Sequence, residues 1–105
     1  MAKVDLNFLR FLQSWHSSRP KEACAGDLLP LAKFHQVELH GRTDSALTIS
    51  LCRLLSRYWG EKIEAEAGWF MLKPLRLQKG RLYWQIERIY QESPPGTQTY
   101  SGPRS

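Results

Sequence analysis

Apolar residues recur at helical spacing through the first 59 positions, and the pattern switches to alternation after Gly60. Asp5 can cap the free N–H groups of a first helix, with Val4 and Leu9 at the staple positions on either side. Leu6, Leu9 and Leu12 continue its stripe toward Trp15 or His16, and Phe8 and Phe11 widen it. The helix should stop in Ser17-Ser18-Arg19-Pro20, because the residue before a proline avoids the α region. Lys21-Glu22-Ala23-Cys24 is either a small strand or an irregular connection. Asp27 is the expected N-cap of a second helix with Leu28, Leu31, Ala32 and His35 inside and Gly41 closing the segment. Pro30 is tolerated there as a first-turn residue. The polar linker Arg42-Thr43-Asp44-Ser45 ends in a capping residue, and a third helix runs from about Ala46 to Trp59. Leu47, Leu51, Leu54, Leu55 and Tyr58 form its inner side. Thr48, Ser50, Arg53, Ser56 and Arg57 form an outer side without an acid.

Beyond Gly60, Lys62 to Ala67 alternates as a strand does and Gly68 interrupts it. Trp69 to Lys73 can continue as a second strand, followed by Leu75-Arg76-Leu77 and a three-residue turn, Gln78-Lys79-Gly80. The chain returns as Arg81 to Ile89, with Leu82, Trp84 and Ile86 on one face. Pro74 marks its strand as an edge strand or a bulged one. The expected fold class is therefore α+β, three helices followed by a small antiparallel sheet with a hairpin wing, the order of a winged helix-turn-helix. A three-helix bundle carrying a small sheet would have the same string.

A length of 105 residues allows one domain, placed here at residues 1–90. Residues 91–105 are almost devoid of aliphatic side chains and rich in Ser, Pro, Gly and Thr, so a disordered tail is expected. No apolar run is long enough for a membrane span and no signal-peptide pattern is present, which makes a cytoplasmic protein the expectation.

Charge adds direction to this picture. The chain carries a net +5; residues 1–41 contribute five bases and four acids, residues 42–105 ten bases and six acids. Lys73, Arg76, Lys79 and Arg81 fall within nine residues that hold no acid. A basic half of this kind attracts polyanions, of which nucleic acid is the commonest in cytoplasm. In a double-stranded DNA complex, Arg53 and Arg57, one turn apart, would face bases or phosphates in the major groove. Arg42, Thr48 and Ser50 would hold the backbone, and the wing would straddle the neighbouring groove through Lys73, Arg76, Lys79 and Arg81.

Other chemistry finds little footing. Cys24 and Cys52 read as reduced thiols, and the series Cys24, His35, His40, Cys52 lacks the close Cys pair from which structural zinc sites start. No nucleophile elbow, glycine-rich phosphate cradle or H-E-x-x-H is present, and Glu61, Glu64 and Glu66 read as a solvated face, so neither catalysis nor a cofactor is expected.

Three stretches resemble the C-terminal winged-helix module of phage and plasmid primase-helicases. They are Asp27-Leu28-Leu29-Pro30-Leu31, the run from Asp44-Ser45-Ala46-Leu47 through Leu51 to Leu55, and Gly80-Arg81-Leu82-Tyr83-Trp84. The resemblance spans about residues 5 to 90 and rests on short motifs shared with many winged helices. In that family the module is the tail of a larger ATPase and binds origin DNA, which implies binding to a replication origin or operator. This chain has no G-x-x-x-x-G-K-[ST] loop, so it would be a detached module or a stand-alone relative. The rival expectation is a winged-helix adaptor whose Trp and Tyr side chains anchor a protein partner.

Overall fold

Asp5 sets the start of α1 (Leu6–Ser17): its carboxylate accepts the Phe8 N–H at 2.8 Å. The computed structural model describes residues 2–18 and 21–90; the tail expected at 91–105 lies outside them. The inward face of α1 is rotated from the expected leucine stripe. Phe8, Phe11, Leu12 and Trp15 are buried, whereas Leu6 is 56% exposed. Aromatic side chains one turn apart fill the space between helices and sheet, and Trp15 also donates its indole N–H to the Lys21 carbonyl at 3.1 Å.

The ambiguous stretch after α1 is a strand, β1 (Glu22–Cys24). It leads directly into α2 (Ala25–Phe34), so Cys24 rather than Asp27 is the N-cap and Asp27 sits in the first turn. Pro30 lies well inside this helix, beyond the first turn, where it withholds an N–H from the ladder. The helix ends at Phe34, with His35 as C-cap and Gln36 left-handed at φ 57°. Ser14 Oγ and His35 Nε2 are 2.7 Å apart, which joins α2 to α1. The third helix, α3 (Asp44–Arg57), starts earlier than expected because the Thr43 hydroxyl, not Ser45, caps it, accepting the Ala46 N–H at 3.1 Å. Leu51 and Leu55 are fully buried, and Leu54 and Tyr58 pack against the same core.

A four-stranded antiparallel sheet follows the order β1-β4-β3-β2, with β2 at Ile63–Ala65, β3 at Gly68–Gln78 and β4 at Arg81–Tyr90. What reads as two short runs around Pro74 is one long strand with a bulge, since the register slips between Pro74 and Arg76. The hairpin turn holds two residues rather than three. Gln78 pairs with Arg81, and Lys79 and Gly80 both have positive φ, 52° and 75°, as a type I′ turn requires. The register places Phe70, Leu72, Trp84 and Ile86 on the face that meets the helices. Trp69, Met71, Lys73, Tyr83, Gln85 and Glu87 occupy the other face, the usual division in a sheet covered on one side.

Gly68 begins β3 at a close approach: a Cβ there would run into the carbonyl oxygen of Ile89 on β4. Gly68→Ala is therefore expected to destabilise the domain by about 1–3 kcal/mol, as overpacking does, and urea unfolding measures it. An unchanged midpoint would mean that β4 yields at this point without cost.

His16, half-buried on α1, meets the Phe70 ring edge-on at 6.0 Å. Burial first, then the positive charges of Lys21 and Arg88, hold its imidazole below the ordinary value of 6.5. The native state thus prefers neutral His16, so its contribution is complete above about pH 6.5 and is lost as the pH falls below that. His16→Asn should therefore lose less stability than the parent between about pH 7 and pH 5, measured by thermal unfolding. Equal losses would remove His16 as the source.

Candidate nucleic-acid interface

Helix α3 presents Ser50, Arg53 and Arg57 to a groove of about 600 Å³ walled by the start of α1 and the segment between α2 and α3. Both arginines are exposed. Ser50 anchors the groove wall, its Oγ accepting the His40 N–H at 3.0 Å. Thr48 does not join them. At 100° per residue it points about 160° away from Ser50, and its hydroxyl donates to the Asp44 carbonyl at 2.8 Å. Thr48 therefore belongs to the margin of the core rather than to the basic face.

The groove also shows what the linear sequence conceals. Asp5 and Glu38 line it, so the side of α3 that holds no acid along the chain has acids opposite it in space. Asp5 is already engaged as the cap of α1. Val4, Phe8, Val37, Leu54 and Tyr58 supply apolar surface beneath the arginines. None of these was identifiable as a site residue beforehand, because they come from three separated segments and only α3 carries a charge pattern. Arg42 lies exposed just before Thr43 and makes no ion pair among the described residues.

The four wing cations divide into two classes. Lys73 pairs with Glu87 at 3.4 Å. Arg76 pairs with Glu22 of β1 at 3.1 Å, donates to Gln78 Oε1 at 3.2 Å and lies over the Tyr83 ring at 5.1 Å. Lys79, at the first position of the turn, and Arg81, just after it, form no ion pair among the described residues. The two existing pairs are half-exposed, and pairs of that kind contribute only about 0–1 kcal/mol, so a phosphate could displace Glu87 or Glu22. The far end of α3 is tied to the strand that carries the wing: Trp59 bridges Leu72 and the Gly60 N–H reaches the Leu72 carbonyl at 3.4 Å.

Two further cations lie on aromatic rings. Lys62 sits 4.5 Å from the centre of Trp69. Arg88 sits 4.8 Å from Phe70 and 4.7 Å from Tyr90, and donates to the Glu66 carbonyl. The sequence signal for these sites was only the alternation of the strands, which does not reveal cross-strand neighbours.

Among the described residues, no group of three or more His, Cys, Asp or Glu side chains could hold a metal ion. Cys24 is buried and Cys52 half-buried, both as free thiols. Among the described residues, no helix is long and apolar enough to cross a membrane. No protein-family model, curated protein or solved structure matches this chain.

Proposed function

We propose that this chain binds double-stranded DNA as a winged helix-turn-helix module. In this reading α3 enters the major groove and the β3–β4 hairpin is the wing. The observation that carries it is the hairpin itself: from Lys73 to Gln85 it holds four cations and no acid, and Lys79 and Arg81 at its tip are unpaired among the described residues. Three features support it further. Strand β1 stands between α1 and α2 and returns to pair with β4, α3 precedes the wing strands with only the short β2 between, and Arg53 and Arg57 are exposed one turn apart. An arginine fork can bind a guanine edge bidentately, and lysines at a turn suit phosphates. The resemblance of its short sequence motifs to those of primase-helicase modules points this reading to an origin or operator in a phage or plasmid, with the chain acting as a binding module and not as an enzyme.

The deciding experiment is fluorescence anisotropy with two unrelated duplexes in low salt. Binding to both with dissociation constants below about 10⁻⁴ M is expected, since non-specific contacts alone reach that range. No binding to either duplex would end this reading.

One observation favours a protein-binding adaptor instead. Phe34 is 78% exposed at the end of α2, beside a recess of about 490 Å³ lined by Trp15, Ala23, Leu28, Pro30 and Leu31. That reading expects partner binding that Phe34→Ala weakens and that salt leaves nearly unchanged.

A further inference from the structure

We propose that the wing tip acts as a wedge, with Leu77 inserting between two base pairs of the bound duplex and kinking it; this rests on the duplex-binding reading above. Leu77 is 72% exposed although it sits within the regular ladder of β3. Leu75, 36% exposed, occupies the bulge just before it. An aliphatic side chain held in water on a paired strand gains nothing from the fold of its own domain. Opposite Leu77 across the hairpin stands Leu82, so the two share one face. Arg76 with Tyr83, and Gln78 with Arg81, share the other.

Arg76 and Arg81 therefore stand on the face opposite Leu77, one on each strand, and Lys79 lies in the turn between the strands. The type I′ turn at Lys79 and Gly80 matches the twist of the ribbon and holds the tip in one shape. This combination suits a bent duplex: the turn lysine and the cations of the other face hold phosphates of the groove that the ribbon enters, while one apolar side chain fills the gap left by an unstacked step. A lipid surface fits less well. Membrane attachment scales with buried apolar area, and one leucine with a second partly covered offers little, whereas a DNA wedge needs only one such side chain.

The test compares the parent chain, Leu77→Ala and Leu77→Phe on an end-labelled duplex, reading bending by energy transfer and affinity by anisotropy. The parent and Leu77→Phe should bring the ends closer by a bend of about 20–90°. Leu77→Ala should still bind, but leave the duplex straight and bind about tenfold more weakly. A duplex with one mismatch should be preferred by the parent, because its step is easier to open, and not by Leu77→Ala.

A straight duplex in the parent complex, or equal bending by Leu77→Ala, overturns the wedge while leaving duplex binding intact. Absence of binding to any duplex overturns both. A requirement for Leu77 only in binding to vesicles containing phosphatidylserine would also overturn the wedge and assign the tip to membranes.

Discussion

Trp84→Ala is expected to lower the stability of the domain by about 3–5 kcal/mol, a large share of what a single domain of this size holds. Trp84 is fully buried in the face of β4 that meets the helices and belongs to one core with Phe11, Trp15 and Leu72. Truncation removes the largest buried side chain of the sheet and leaves a cavity that neighbouring strands and helices can close only in part. Trp84→Phe is expected to be far milder. The indole N–H of Trp84 is buried without a partner, so phenylalanine removes an unsatisfied donor together with part of the ring. Leu6→Ala, on the exposed side of α1, should change stability by no more than about 0.5 kcal/mol. Urea unfolding of the three variants checks the ordering, and a large cost at Leu6 would mean that α1 is turned as the leucine stripe suggests.

That comparison also marks where the sequence ceases to be informative. The boundaries of α1 were legible because Asp5 and the Ser-Arg-Pro segment act within a few residues of the chain. Its rotation was not, because leucine and phenylalanine both satisfy an apolar stripe and only the facing sheet selects between them. The bulge at Pro74 was foreseeable for the same local reason, since proline has no N–H to give a ladder. The β1–β4 pairing joins residues some sixty positions apart, and nothing in Glu22-Ala23-Cys24 encodes the partner. The site followed the same rule. Lys79 and Arg81 stand out in the sequence because their cluster is contiguous, while the neutralisation of Arg76 by Glu22 and the acids opposite Arg53 emerge only when distant segments meet.

Affinity for duplex DNA should fall about 250- to 1,000-fold between 50 and 200 mM salt, a slope of log K against log salt of about −4 to −5. Five cations of α3, the linker before it and the wing make no ion pair among the described residues and are available for phosphates or base edges: Arg42, Arg53, Arg57, Lys79 and Arg81. Lys79→Ala should weaken all duplexes alike and make the slope shallower by about one unit, because a phosphate contact carries no sequence information. Lys73→Ala should shift it less, since Glu87 already neutralises that lysine. Arg53→Ala should behave differently, losing about 1–3 kcal/mol on a preferred site and reducing the preference among sites. If Arg53→Ala instead weakens all duplexes equally, α3 lies against the backbone and the groove beside it serves another ligand. A slope near zero would remove DNA altogether and leave the apolar recess beside Phe34 as the surface that matters.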